Sequence, residues 1–292
     1  MRQLCLLAIL ALAALFAGPA LATPIRTTNP GTGLFLGRIV QPRYLLTEAS
    51  GNGVEFREEL VTLEITRSPS PRTVVGVLIP HVEREVRVRG RMFEQSGLCD
   101  MHLFGKYRFH RKLAIWGDAQ AAVRLAVRAP TGETDRPRAG LSETLSRSLQ
   151  AGTGTWGFTT DVSYLTARKR FVWGGNVAYT ANVEARGFRP GNELRLNLDT
   201  EYLLLPVKYE APGKELFVLV EWLFVHREPS RVAGRDLPDS GGTQFFIAPG
   251  LQYVPTDRLL FEASVAVPLW QDLRGRQPQQ EFNVLVGLRY IY

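Results

Sequence analysis

Apolar and polar residues alternate along most of this chain, most clearly in its last segment. There, every second position from 282 to 292 is apolar or aromatic, and the positions between are mixed: Phe282, Val284, Val286, Leu288, Tyr290 and Tyr292 share one face. A period of two is typical of β-strands whose two faces meet different surroundings. The pattern therefore predicts a chain built of strands, each with one apolar face.

Twelve such segments can be placed. They run over residues 33–45, 54–67, 73–88, 101–111, 118–129, 157–166, 171–185, 193–205, 215–227, 243–254, 259–269 and 281–292. Most span about 10–14 residues, which is long for a soluble strand and suits a strand that crosses a bilayer at a tilt. Aromatic residues gather at segment ends, as at Phe171 with Trp173 and at Tyr290 with Tyr292. The fold class predicted is an all-β, transmembrane, antiparallel up-and-down β-barrel of about 12 strands.

Connection lengths predict how the barrel is oriented. Short or moderate connections at 68–71, 112–117, 167–170, 206–214 and 255–257 alternate with mostly longer ones at 46–53, 89–100, 130–156, 186–192, 228–242 and 271–280. Bacterial barrels combine short periplasmic turns with longer extracellular loops. Both termini are then expected on the periplasmic side. A periplasmic β-sandwich is the alternative that alternation alone leaves open.

The first 22 residues predict export. A positive start at Arg2 precedes an apolar run from Leu4 to Ala17, and Ala20-Leu21-Ala22 supplies the small residues of a cleavage site. This pattern is typical of a signal peptide, residues 1–22. Together with the predicted barrel, it predicts the outer membrane of a Gram-negative cell as the destination. The mature chain, residues 23–292, is expected to be a single barrel domain with a short flexible lead-in from Thr23 to Thr32.

Composition narrows the function classes. The formal charge of +7 comes from 35 cationic and 28 anionic residues dispersed along the chain, which argues against a nucleic-acid partner. Only Cys99 remains after cleavage, so no intramolecular disulfide is expected, and a lone thiol in an oxidising compartment should be buried or shielded.

The polar face of the strands is expected to line the lumen. Candidate lumen-lining residues are Lys106, Arg108, Arg124, Arg128, Glu193, Arg195, Asp199, Glu201 and Arg289. They could form internal salt-bridge ladders, or a polar pathway that selects solutes. Phe104, Leu165, Leu203 and Phe246 are predicted to point inward as well, and an amphipathic lumen suits an aromatic or apolar solute better than a sugar.

Catalytic, metal and cofactor sites are not predicted. His102 and His110 are assigned to the lumen face of one strand but lie about 27 Å apart, so they cannot share a metal. Ser264 could meet a histidine across the barrel, but such a combination is too common to indicate a hydrolase. No enzyme activity and no cofactor are therefore expected.

Several short motifs resemble the meta-pathway phenol degradation family, a group of outer-membrane barrels often labelled transporters. They are, in chain order, residues 97–100 with 104–107, Gly117-Asp118, 129–132, 150–155, 240–243 with 248–252, and 267–269. The resemblance covers about two thirds of the chain, from Gly97 to Tyr292, and Cys99 stands where a glycine would be expected. It implies a barrel and passage of small molecules, and it carries over no catalytic or ligand residues.

The leading functional hypothesis is an outer-membrane channel or transporter-like protein for small, hydrophobic or aromatic molecules. An outer-membrane hydrolase of lipase or protease type is one alternative. A structural or surface-interaction barrel is the other, with the loop 130–156 as its binding face. The expected partners are outer-membrane lipids, an unidentified small solute, and the barrel assembly machinery acting on the C-terminal strand that ends at Tyr292.

Overall fold

The computed structural model describes residues 24–31, 37–114, 117–134, 140–207 and 214–292. The predicted signal peptide lies outside these residues. The strands are β1 Arg38–Gly51, β2 Val54–Ser70, β3 Thr73–Val88, β4 Arg91–Leu98, β5 Met101–Ala114, β6 Gly117–Ala129, β7 Gly157–Arg168, β8 Phe171–Asn182, β9 Phe188–Arg189, β10 Glu193–Leu205, β11 Glu215–Arg227, β12 Arg231–Val232, β13 Arg235–Asp236, β14 Gly242–Thr256, β15 Leu259–Leu273 and β16 Gln279–Ile291. One helix, α1, spans Glu143–Leu149.

The long strands close into a barrel of twelve. Each pairs antiparallel with its neighbours along the chain, and β1 closes the ring by pairing with both β2 and β16. β4 and β5 follow one another along β3, separated by Cys99 and Asp100. β5 also pairs with β6 and is the strand of the wall, whereas β4 pairs with β3 alone. The predicted fold class is confirmed: in the ring of twelve, each strand has a partner on both sides.

Side chains divide by parity between the outside and the inside of the barrel. Outward positions are apolar and exposed, as at Leu125, Val162 and Leu198, which expose 58%, 48% and 52% of their surface. Inward positions on the same strands are buried and often polar, as at Asp161 and Asp199. An apolar exterior around a polar interior reverses the order of a soluble protein and is typical of a barrel in a membrane.

The two ends of the barrel differ. One end, here called the turn end, carries the short connections together with Arg38 and Tyr292. Outward aromatic rings cluster there: Phe171 stacks on Trp173 at 5.6 Å and lies 4.8 Å from Tyr202. The other end, the loop end, carries the longer connections. Such a ring of aromatics is what a membrane–water interface favours.

At the loop end, β2, β3 and β4 extend beyond the wall, and the connection between β6 and β7 folds against them. Helix α1 begins after Ser142, whose hydroxyl accepts a hydrogen bond from the Leu145 N–H at 3.3 Å. Its buried Leu149 packs against Val54 and Val86. The described parts of this connection, residues 130–134 and 140–156, therefore lie against the inward face of the extension.

Two sequence predictions fail at this end. The first strand, predicted over 33–45, runs Arg38–Gly51 and ends six residues later, because Leu46 to Gly51 continue to pair with β2. The loops predicted at 46–53 and 89–100 are largely strand: only Asn52 and Gly53, both with positive φ, turn the first hairpin, and β4 fills most of the second. Where these strands extend above the bilayer, both of their faces carry polar residues. The alternation of apolar and polar positions on which the prediction relied is therefore missing there.

Several remaining boundaries agree to within a few residues. A three-stranded sheet of β9, β12 and β13 forms from the connections predicted at 186–192 and 228–242. No helix among the described residues has the length and apolar character needed to span a membrane.

Because outward-facing residues contact the lipid, a charged residue placed there should destabilise the barrel, most strongly near the middle of the bilayer. Val177 lies midway along β8 and exposes 48% of its surface. Val177→Arg should lower the free energy of unfolding by about 2–4 kcal/mol, because it places a cation near the bilayer midplane. Denaturant unfolding in phospholipid vesicles measures this, with Val177→Leu as the matched control. An arginine variant as stable as the leucine variant would place β8 outside the hydrocarbon region.

Candidate functional site

The chain segment before β1 lies inside the barrel. Residues 24–31, here called the N-terminal segment, include Pro24, Ile25, Thr27 and Pro30, all buried. Ile25 exposes 1% of its surface and packs against Leu219, Leu285 and Leu45. The expectation of a flexible lead-in is therefore wrong for residues 24–31. The physical reason is a complementary set of lumen side chains from distant strands.

Glu221 on β11 fixes the middle of the N-terminal segment. Its carboxylate accepts hydrogen bonds from the backbone N–H groups of Arg26, at 2.9 and 3.1 Å, and Thr27, at 2.7 Å. Hydrogen bonds to a charged acceptor are stronger than neutral ones. The Arg26 guanidinium extends away from Glu221: its Nε donates to Ser264 Oγ at 2.8 Å, and it also donates to Asn283.

The other half of the segment is held by side chains of β5, β7 and β8. Thr28 donates to Asp161 on β7 at 2.5 Å, and its backbone N–H donates to Asn176 on β8 at 3.3 Å. Lys106 on β5 donates to the carbonyl oxygen of Asn29 at 2.9 Å and to that of Gly31. Since β5 and β16 stand on different sides of the ring, the segment bridges the bore.

Three predicted lumen residues on β5 and β6 make contacts within the wall. Arg108 donates to Gln120 at 3.0 Å, and the Arg124 guanidinium lies 4.0 Å from the centre of the Phe104 ring. Arg128 donates to Asn182 at 2.9 Å. Their cationic groups are held by neighbouring strands.

The acidic and basic residues near the ends of β10 and β16 form ion pairs. Glu193 pairs with Arg195 and with Arg227 at the loop end. Arg289 lies 4.0 Å from Glu262, which also binds Arg43 at 2.7 Å. These are two separate groups of ion pairs, one at each end of the barrel, and each joins neighbouring strands.

Two predicted residues lack such partners. Asp199 and Glu201 on β10 expose 2% and 0% of their surface, and no hydrogen-bond partner is found for any of their four carboxylate oxygens. Buried carboxylates are normally paired or hydrogen-bonded.

An apolar cluster lies at the turn end of the interior. It joins residues of six neighbouring strands: Ile39, Leu203, Phe217, Val254, Leu260 and Ile291. Phe104 with Ala126 and Val74 forms a second apolar cluster on the other wall. The interior is thus amphipathic, with a charged middle and apolar patches.

The loop end opens into a vestibule of about 1120 Å³. Among the described residues that line the vestibule, seven are charged. One is Asp239, and the other six are arginines: Arg84, Arg89, Arg91, Arg147, Arg227 and Arg276. Glutamates pair with three of these, Arg84, Arg147 and Arg227. The net positive charge of the vestibule lining therefore comes from Arg89, Arg91 and Arg276.

Asp100 anchors the vestibule wall. Its carboxylate accepts hydrogen bonds from the Gly132 N–H at 3.0 Å and from the N–H and hydroxyl of Thr153 at 2.9 and 2.5 Å. Any Cβ on Gly132 would come within 2.6 Å of the Gly152 Cα, so this crossing requires glycine. Three of the motifs that carry the sequence resemblance therefore meet at one point.

Cys99, beside this anchor, is free and buried among Val82, Ala151 and Leu60. Burial raises the pKa of its thiol to about 11. A thiol so enclosed stays protonated and unreactive, which is how the fold shields it.

Ser264, the serine considered for hydrolysis, has an arginine as its described hydrogen-bond partner. Ser264 Oγ accepts its hydrogen bond from Arg26, and a guanidinium cannot take a proton. A bulge between Arg108 and His110 pairs His110 with Ala121, which shifts its parity away from the lumen assigned to it. Within the described ranges, no group of three or more His, Cys, Asp or Glu side chains could hold a metal ion.

Parity reasoning identified Lys106 as a lumen residue but did not single out the other residues that hold the N-terminal segment. Glu221, Asn176 and Asp161 sit at inward positions that the alternation could have identified. Arg26 follows no strand pattern, so nothing in the local sequence marks its role.

A closed twelve-stranded barrel with an apolar exterior, a charged interior and loops at one end defines a barrel of the outer-membrane type. The family model described as "Putative MetA-pathway of phenol degradation" matches residues 63–284, and the chain belongs to this family. The resemblance noted from the motifs is thereby confirmed. Among curated proteins, none matches the sequence.

Solved structures share the fold at low identity. The COG4313 outer membrane channel from Pseudomonas putida F1 superposes with a TM-score of 0.70 at 13% identity, covering 94% of this chain and 100% of that one. The beta domain of the Bordetella autotransporter BrkA gives a TM-score of 0.51 at 10% identity, covering 88% and 100% of the two chains.

The contacts of Glu221 predict how firmly the N-terminal segment is held. Glu221→Gln replaces one acceptor oxygen by a donor, so the N–H groups of Arg26 and Thr27 lose a charged acceptor worth about 1.5–3 kcal/mol. Hydrogen–deuterium exchange at these two amides should accelerate about ten- to hundredfold. Glu55→Gln, on the exposed outer face of β2, is the control. Unchanged exchange in Glu221→Gln would show that other contacts hold the segment.

Proposed function

We propose that this protein is an outer-membrane channel for small molecules whose lumen is narrowed by its own N-terminal segment. The observation that carries the proposal is the bridge of residues 24–31 across a polar bore, below an open vestibule. A segment held by side chains of β5, β7, β8, β11, β15 and β16 controls the cross-section available to a solute. Its fixed hydrogen bonds leave only a narrow path.

The loop end faces the cell exterior in this proposal. Cleavage after Ala22 and insertion through the C-terminal strand that ends at Tyr292 place residues 23–292 in the outer membrane as one domain. Outer-membrane lipids surround the exposed apolar face, and the barrel assembly machinery is the expected folding partner. The channel has no enzyme activity.

The proposed solute is a small anion with an aromatic or apolar part. The surplus of arginine in the vestibule attracts anions and raises their local concentration. Lumen residues Lys106, Arg108, Arg124, Arg128, Glu193, Arg195, Asp199, Glu201 and Arg289 form the charged part of the path, and the apolar clusters accommodate a ring. The family description concerns phenol degradation, which fits an aromatic solute.

Removal of the N-terminal segment tests the control of conductance. A variant lacking residues 24–31, refolded in detergent and inserted in planar bilayers, should conduct several-fold more than the wild type, because the bridge across the bore is gone. Heat-modifiable gel mobility and circular dichroism check that the barrel forms. Equal conductance of the two folded proteins would contradict control by the segment, and silence of both toward every solute tested would contradict the channel itself.

Ion selectivity tests the vestibule. The wild type should prefer chloride to potassium in a KCl gradient, and replacing Arg89, Arg91 and Arg276 by glutamine should shift the reversal potential toward cations. Arg87→Gln is the matched control, since Arg87 pairs with Glu55 on the outer face of the same extension. A reversal potential unaffected by the triple substitution would remove the vestibule from solute selection.

A further inference from the structure

Arg124 is a lumen cation without an ion-pair partner among the described residues. It lies near the middle of β6, at an inward position between the buried Ala122 and Ala126. No described carboxylate pairs with its guanidinium, and its buried Nε has no hydrogen-bond partner. Arginine stays protonated in proteins, and a charge at this depth of a membrane protein is normally paired. Arg124 can therefore bind an anion without giving up a described ion pair.

The two residues opposite Arg124 on the adjacent strands have other partners. They are Lys106 on β5 and Asp161 on β7. Asp161 uses both carboxylate oxygens: one accepts a hydrogen bond from Thr28 at 2.5 Å, and the other accepts one from Asn176 at 3.1 Å. Lys106 donates to carbonyl oxygens of the N-terminal segment. The acid opposite Arg124 is thus engaged elsewhere, and its other neighbour is a second basic group.

Arg124 lies between two attachment points of the N-terminal segment. Asp161 binds the segment at Thr28, and Lys106 binds it at Asn29. Arg124 is at the same level of the wall but forms no hydrogen bond with the described residues of the segment. Its side chain is only half-buried, so part of it borders the space beside the segment. A solute that passes the segment on this side meets the guanidinium.

The Phe104 ring lies against one side of this guanidinium. Its centre is 4.0 Å from the Cζ of Arg124. Phe104 is buried and packs against Val74 and Ala126, so the ring is held in place by the wall. A guanidinium can stack on an aromatic face and still present its N–H groups as a planar fork that matches the two oxygens of a carboxylate.

We propose that Arg124 binds the carboxylate group of a small organic acid inside the lumen. The carboxylate accepts hydrogen bonds from the terminal N–H groups of Arg124, while the Phe104 ring stays against the guanidinium. The proposal rests on the proposed function, since a solute reaches Arg124 through the lumen from the vestibule, and it names the chemical group that the channel recognises. A carboxylate carries one negative charge and pairs with one guanidinium, whereas a phosphate dianion leaves a charge without a partner.

Binding to the folded protein in detergent tests the site. The probe is benzoate, followed by isothermal titration calorimetry, with benzyl alcohol as its uncharged counterpart. The wild type should bind benzoate and not benzyl alcohol. Arg124→Gln should weaken benzoate binding about tenfold or more, because it removes the charged donors. Equal affinity of this variant and the wild type, or a wild type that binds no benzoate, would overturn the assignment.

Two further variants control for net charge and for folding. Arg87→Gln removes one positive charge from the outer face of the extension and should bind benzoate like the wild type. Arg124→Lys keeps the charge but loses the planar fork, so its affinity should lie between those of the wild type and Arg124→Gln. Heat-modifiable gel mobility checks that each barrel is folded. Loss of binding in Arg87→Gln equal to that in Arg124→Gln would assign binding to net charge and overturn the site.

Competition identifies the group that is bound. Acetate should displace benzoate, because it carries the same carboxylate, whereas chloride and inorganic phosphate at equal concentration should displace it several-fold less. Displacement by chloride or phosphate as effective as that by acetate would overturn recognition of a carboxylate.

Conductance separates failure of the site from failure of the channel. In planar bilayers, benzoate should reduce the chloride current of the wild type several-fold more than that of Arg124→Gln. A wild type that conducts chloride but neither binds benzoate nor is blocked by it would overturn the site and leave the channel. A silent wild type that still binds benzoate through Arg124 in detergent would overturn the channel and support the site.

Discussion

Closure of the backbone hydrogen-bond ring is the constraint on which the rest of this structure depends. In hydrocarbon an unpaired N–H or C=O costs several kcal/mol, so each strand needs a partner on both sides. The pairings of β1 with β16 and β2 supply the last of them. Once the ring is closed, parity alone decides which side chains meet lipid and which are confined together inside.

Confinement explains the character of the interior. Inward residues of a twelve-stranded barrel are too many to pack as a simple apolar core and too close to leave a wide pore. The chain fills the space with groups of ion pairs, with apolar clusters near the turn end, and with its own N-terminal segment. The backbone of that segment has both N–H donors and C=O acceptors, so it can form hydrogen bonds with side chains on several strands at once. The proposed path for solutes is what remains beside it.

The loop end shows how strongly local sequence depends on distant partners. Asp100, Gly132 and Thr153 are separated along the chain, yet one carboxylate joins them. The motifs that contain these three residues resemble a known family, but the sequence does not indicate that the residues are in contact. Their meeting point holds residues 130–134 and 150–156 near β3 and β4, so these parts of the loop predicted as a partner-binding surface lie folded against the barrel's own extension.

The sequence predicted the strand count, the closed barrel and the inward direction of four apolar residues: Phe104, Leu165, Leu203 and Phe246. It could do so because a period of two is a local property of the chain, and apolar side chains on the outward face partition into the bilayer. The end of β1, strand β4 and the parity of His110 were not predictable, since pairing partners and a bulge decide them. The place of residues 24–31 was equally hidden: it depends on Glu221, Asp161 and Lys106, which only the closed ring brings to face one another. The alternation in the sequence by itself thus determined which residues form the strands of the barrel wall. Only the tertiary structure decided what fills the lumen, because contacts across the barrel follow no regular spacing along the chain.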